Sequence, residues 1–145
     1  MKDKSDIGLI GLGYPEELGG TPADLFYGIV SAEEIARAGC GGLQASLSSH
    51  GIGLPPVVAH GSEALKRRVV PPVLRGEKIA ALAITEPGGG SDVAALKTSA
   101  VRDGEHYIVN GEKTFITSGV RADWLTVAVR TDPAHRLMLL VFASV

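Results

Sequence analysis

The sequence holds a single cysteine, Cys40, in 145 residues. One thiol excludes an internal disulfide and fits a reducing compartment. No His or Asn stands near it in a nucleophile motif, so Cys40 reads as a small buried apolar residue. Charge of either sign is not in excess. The 14 basic and 16 acidic side chains leave a net charge of −2, and no basic field points to nucleic acid. Long hydrophobic runs are also missing. The longest, Leu137 to Ala143, is far short of the ~20 residues that a membrane-spanning helix needs. The N-terminal MKDKSDIG is followed by no apolar core of signal-peptide length. The expectation is a cytoplasmic protein with neither membrane nor nucleic acid as partner. Repeats and low-complexity tracts are absent, and His50, His60, His106 and His135 lack metal-ligand spacing. What remains is ordinary for a globular protein: 45% apolar and 21% charged residues, in a length that suits one domain or two small ones.

Punctuation divides the chain into residues 1–78 and 79–145. The first part reads as helical. Thr21-Pro22 supplies a capping hydroxyl followed by proline at a first helical position. Leu25, Phe26, Ile29, Val30 and Ile35 form a helical stripe, with Gly39 as its stop. A weaker helix is predicted from Leu43 to Ser49, broken by Gly51 to Pro56. A third opens at Ser62 and is interrupted by Pro71-Pro72. Tyr14 to Gly20 reads as a loop. From Lys78 the period changes to two. Strands are predicted at Ile79–Thr85, Lys97–Arg102, Glu105–Val109, Glu112–Thr117, Trp124–Arg130 and Arg136–Phe142. Asp103-Gly104 and Asn110-Gly111 are hairpin signals, because such turns need positive φ, and Asp132-Pro133 is a further turn. The fold class is therefore α+β, a helical segment followed by an antiparallel meander that belongs to a barrel or sandwich.

ITEPGGGSD, residues 84–92, lies where the first strand leaves the sheet. Its glycines let a ligand approach the backbone, its successive amides can form an anion-binding concavity, and Thr85 and Ser91 bring hydroxyls. A surface loop capped by Ser91 or Asp92 accounts for the spacing equally simply. A second stretch, KTFITSG at residues 113–119, would place Phe115 and Thr117 on one face of a strand. There an aromatic plane and a hydroxyl could cover a flat heteroaromatic ring. The plain alternative is a core phenylalanine beside a strand threonine. Lys66-Arg67-Arg68 could meet a phosphate, but a solvated helix face explains the run as well. Trp124 reads as a packing residue of the sheet.

Taken together, ALAITEPGGGSDVAALKTSAVRDGEHYIVNGEKTFITSGVRADWLTVAVRT closely resembles the central segment of the acyl-CoA dehydrogenase family. GLIGLGYPEELGG and HGSEALKRRVVPPVLRGEKIA resemble its helical N-terminal domain, so the likeness spans most of residues 8–131. The resemblance implies FAD as cofactor and an acyl-CoA thioester as substrate, oxidised to the 2,3-enoyl-CoA. An electron-transferring flavoprotein would take the electrons, and a homo-oligomer, commonly a tetramer, would be the assembly. It also implies an incomplete β-barrel domain. The implied flavin-lining residues are Leu82, Ile84, Thr85, Gly90, Ser91, Phe115, Ile116 and Thr117. Among them, Thr85 would face the pyrimidine side of the ring and Thr117 its N5. Gly90 and Ser91 would lie along the phosphates, with Ser91 also near the thioester. Phe115 stands where the family frequently has Trp, and Ser118 where Asn is common. The family's base is a glutamate of a C-terminal helical domain, so the chain reads as a fragment without its catalytic residue. Glu86 and Asp92 are the carboxylates nearest the motif, and both also fit as turn and capping groups. An oxidase or monooxygenase of the same fold, or a non-catalytic fragment, are the other readings.

Overall fold

Asp24, rather than Thr21-Pro22, starts the first helix. Its carboxylate accepts from the amides of Phe26 and Tyr27, satisfying two first-turn donors that have no partner within the helix. The structure, a computed structural model, describes residues 8–132 and 138–144. Residues 1–7, the Pro133 part of the predicted turn, His135 and the start of the last predicted strand lie outside them. Helix α1 spans Leu25–Ala36, and Gly39, at φ +65°, donates its amide to the Ala36 carbonyl beyond its end. Three short helices follow: α2 over Gly41–Leu47, α3 over Ser49–Gly53 and α4 over Pro55–His60. The break predicted at Gly51 to Pro56 is thus corrected. Pro55 sits in the first turn of α4, where a missing N–H removes no helical bond. Helix α5, Glu63–Leu74, is capped by the Ser62 hydroxyl, which accepts from the Leu65 amide. It runs through Pro71 and Pro72. The two carbonyls that lose a donor there belong to the exposed residues Arg67 and Arg68, where water can replace it.

The strands are β1 (Ala80–Ala83), β2 (Ser99–Asp103), β3 (His106–Asn110), β4 (Trp124–Arg130) and β5 (Met138–Ser144). The β2–β3 hairpin is antiparallel and turns at Gly104, at φ +59°, as Asp103-Gly104 predicts. Strands β4 and β5 are antiparallel from Trp124↔Ser144 to Arg130↔Met138. The purely antiparallel meander is corrected at β1. That strand runs parallel to β4, from Ala80↔Trp124 to Ala83↔Val127, and β2 meets the other end of β4 in parallel at Ser99↔Arg130. The long chain between β1 and β4 makes such a crossover possible. Glu112–Thr117 is not a strand. Phe115 and Ser118 take φ of +55° and +64°, and residues so turned cannot continue an extended run.

The packed core joins α4, α5 and β1 through Leu54, Val57, Val69, Val70, Val73 and Ala80. Gly53 lets α3 rest on β1, since a Cβ there would stand 3.0 Å from the Ala81 carbonyl carbon. The Thr126 hydroxyl donates to the Gly53 carbonyl at 2.7 Å. Trp124 packs against this core with the Arg68 guanidinium 5.2 Å from its ring centre, and Lys66 pairs with Glu63. The helices therefore pack on the face of the β1–β4 pair that carries Ala80, Trp124 and Thr126. Helix α1 buries none of its residues, and Leu25, Phe26 and Val30 stand 76%, 72% and 56% exposed. Cys40 is exposed as well. The buried cysteine expected from the sequence is corrected, because it lies between α1 and α2, clear of the packed helices. Among the described residues no helix is long and apolar enough to cross a membrane.

Candidate functional site

Strand β1 ends at Ala83 and hands the chain to the 84–92 loop. Glu86 and Gly89 exchange amide-to-carbonyl hydrogen bonds at 3.0 Å, closing a tight turn. The Glu86 side chain points inward and is buried. One carboxylate oxygen accepts from the Lys97 amide at 2.8 Å. The other accepts from the Thr98 amide at 2.9 Å, the Thr98 hydroxyl at 2.6 Å and the Lys113 ammonium at 2.9 Å. Burial pushes this carboxyl up, but the Thr98 hydroxyl, the two amides and Lys113 outweigh it and hold the group at about 2. Glu86 is thus ionised with its lone pairs engaged, which fits the turn-group reading and leaves it unsuited to general-base work. Asp92 stays exposed ahead of a single 3-10 turn over Val93–Ala95.

Lys113 ties the two motif stretches together. Besides Glu86, its ammonium donates to the Ile84 carbonyl at 2.9 Å. The next amide, Thr114, donates to the Thr85 carbonyl at 2.9 Å. Gly90 closes against Thr85 from the loop side: a Cβ at 90 would stand 3.1 Å from both the Thr85 hydroxyl oxygen and its methyl carbon. Beyond Thr114 the chain turns sharply through Phe115 to Ser118 and enters a 3-10 turn at Gly119–Arg121. Phe115 is 91% exposed.

A cavity of about 370 Å³ opens beside this turn, lined by Ala83, Lys113, Phe115, Ile116, Leu125 and Val127 among others. The pairings Ala81↔Leu125 and Ala83↔Val127 put its floor on the sheet face away from the helices. Of the residues singled out by sequence, Phe115 and Ile116 line the cavity, and Ile84, Thr85 and Gly90 are linked to its edge by the contacts above. Thr117 is exposed next to Ile116, and Ser91 is exposed at the far end of the loop. Leu82 pairs with Thr126 and so shares the opposite, helix-facing side. A larger cavity, about 520 Å³, lies near Leu96, Ser99 and Arg130 and contains none of them. Sequence reasoning missed Lys113 and Thr98, and its reading of Asn110-Gly111 as a hairpin turn is corrected, since no strand follows directly and Gly111 passes against Thr98. A Cβ at Gly111 would fall 2.4 Å from the Thr98 hydroxyl oxygen. The available signal was a lysine and a glutamate of opposite charge, each inside one of the two motifs. Among the described residues no cluster of His, Cys, Asp and Glu could hold a metal.

Known proteins carry the same pattern. Residues 1–77 match the acyl-CoA dehydrogenase N-terminal domain, and residues 81–144 the acyl-CoA dehydrogenase middle domain. A probable acyl-CoA dehydrogenase of Bacillus subtilis is 42% identical over 135 residues, which cover 91% of this chain and 22% of that protein. The structure of a putative acyl-CoA dehydrogenase from Mycobacterium smegmatis is 49% identical with a TM-score of 0.90, over 97% of this chain and 37% of that one. An acyl-CoA dehydrogenase from Bacillus anthracis, solved complexed with FAD, is 38% identical with a TM-score of 0.85, over 97% of this chain and 24% of that one. The chain thus spans between 22% and 37% of the length of these relatives. With both family domains matched and the same helices-then-sheet architecture, the chain belongs to the acyl-CoA dehydrogenase family.

Proposed function

We propose that this chain forms the flavin-facing wall of an FAD-dependent acyl-CoA dehydrogenase, with a helical domain over residues 1–78 and a sheet domain from 79 onward. The substrate is an acyl-CoA thioester and the product its 2,3-enoyl-CoA. The residues suit a flavin. An open apolar cavity is bordered by the exposed Phe115 and Val120, and Gly90 lets the loop close on Thr85, whose hydroxyl oxygen and methyl carbon would each stand 3.1 Å from a Cβ at 90. FAD, when bound, would supply the two-electron acceptor for the α,β-dehydrogenation, with an electron-transferring flavoprotein as the proposed recipient of the electrons. Thr85 and Thr117 offer hydroxyl donors to the ring, Phe115 offers an aromatic face, and Gly90 and Ser91 offer backbone and hydroxyl to the phosphates, with Ser91 also toward the thioester. Donors fixed before the reaction begins stabilise charge that develops during it. Removal of the α-proton does not fall to Glu86, since its oxygens are engaged.

The observation that carries this reading is the Thr114-to-Thr85 hydrogen bond with its Lys113 bridge, which brings two distant motifs to one cavity edge. The test is a titration with FAD, followed by flavin fluorescence and absorbance. The protein is expected to bind FAD, and G90A, which forces Thr85 aside, to bind it roughly tenfold more weakly, the equivalent of one hydrogen bond. Failure of the unaltered protein to bind FAD, or equal affinity in G90A, refutes the reading.

A further inference from the structure

We propose that Glu86 and Lys113 are positioning residues, a charge-neutral clamp that fixes the two cofactor-facing segments relative to one another; the inference rests on the flavin reading above. Both side chains are nearly enclosed, with 9% and 11% of their surface exposed. The Lys113 ammonium spans from the Ile84 carbonyl to the Glu86 carboxylate, so it grips the chain on both sides of Thr85. Glu86 in turn grips the Lys97–Thr98 lead into β2. A buried ion pair adds little stability by itself compared with apolar packing. Its placement one residue before Thr114, whose amide holds Thr85, is therefore better explained by geometry than by stability.

What the clamp holds is a backbone that would otherwise relax. Phe115 and Ser118 are the non-glycine residues with positive φ among those described, and they bracket Ile116 and Thr117. Such conformations persist only where the surroundings fix them from several sides. Upstream the constraint is Lys113 and the Thr114 amide. Downstream the Gly119 amide donates to the Ile116 carbonyl and the Arg121 amide to the Ser118 carbonyl, both at 2.9 Å. The second consequence is electrostatic. In a site of low dielectric an unpaired charge acts strongly on a redox ring. Opposite charges at 2.9 Å largely cancel, so the pair fixes geometry without biasing the potential.

The clamp is tested with K113M and E86Q at pH 8, on the purified protein with and without FAD. Without FAD, the Thr114 and Gly119 amides are expected to exchange hydrogen roughly ten- to a hundredfold faster in both variants, while the Val127 and Val129 amides of β4 keep their protection. With FAD, affinity is expected to fall about tenfold in both. The flavin potential should rise in E86Q, which leaves a buried cation, and fall in K113M, which leaves a buried anion. Purely structural damage would move both potentials the same way, and that result overturns the charge-cancelling role. Unchanged exchange at Thr114 together with unchanged FAD affinity overturns the clamp. If the unaltered protein takes up no FAD, the flavin reading fails, and exchange at Thr114 alone decides whether the two segments are clamped. Should K113M not fold, E86Q, which keeps the shape and one acceptor oxygen, carries the exchange and affinity comparisons, and a flavin potential that is unchanged or lower in E86Q overturns the charge-cancelling role.

Discussion

Glu86 keeps its charge in a buried place because donors surround both oxygens, and this has a consequence for acid stability. Its ordinary value is 4.5 and its folded value about 2. A carboxylate with a depressed folded value binds fewer protons folded than unfolded in that interval. Its contribution is therefore full above pH 4.5 and is lost as pH falls toward 2. E86Q takes up no proton there. We expect E86Q to be less stable than the unaltered protein at pH 7 but to lose less on acidification from pH 4.5 to about 2. Urea unfolding at stepped pH measures both slopes. Parallel losses in the two proteins would show that the four-donor cage does not govern this carboxylate. The same cage explains why a residue in a Gly-rich motif is legible as important yet not as to role. The letters TEP announce a turn, whereas the partners that engage Glu86 lie 11 to 27 residues away.

Elements defined by local chemistry were readable, and those defined by partner choice were not. The bounds of β4, the Gly104 turn and the Ser62 cap follow from residues next to one another in sequence. The parallel pairing of β1 with β4 does not, because the period of two is the same for either direction. The two x-Gly dipeptides make the point within one hairpin. Gly104 turns the β2–β3 hairpin at φ +59° with open space around its α-carbon. Gly111, read from sequence as a second hairpin turn, instead lets the chain pass against Thr98, and a Cβ there would stand 2.4 Å from the Thr98 hydroxyl oxygen. G104A should cost only the left-handed conformation, about 1–2 kcal/mol. G111A should add to such backbone strain the displacement of Thr98 from a buried carboxylate, a further ~1–3 kcal/mol. Unfolding free energies of the two variants test this, and equal losses would refute the close-approach role of Gly111.

For the whole molecule, the apolar stripes of α1 and α5 look alike as sequence but fare differently. Helix α5 packs Val69, Val70 and Val73 against α4 and β1 with no exposed surface on any of the three. Helix α1 carries an apolar stripe of similar spacing, and Leu25, Phe26, Ile29 and Val30 all stay exposed. Periodicity reports that a face is apolar; whether it is buried depends on what the rest of the fold brings to it. Stability should follow burial and not pattern. Leu54, fully enclosed between α3 and α4, leaves a cavity when truncated, and L54A should cost about 2–5 kcal/mol. Phe26 is the larger side chain, yet it is 72% exposed, so F26A should change stability by no more than about 0.5 kcal/mol. Chemical denaturation of both variants at one protein concentration gives the comparison. A loss in F26A approaching that of L54A would mean that α1 is covered when the protein is in solution, and repeating the measurement across protein concentrations would separate a covering copy of the chain, whose effect grows with concentration, from a covering segment of the same chain, whose effect does not.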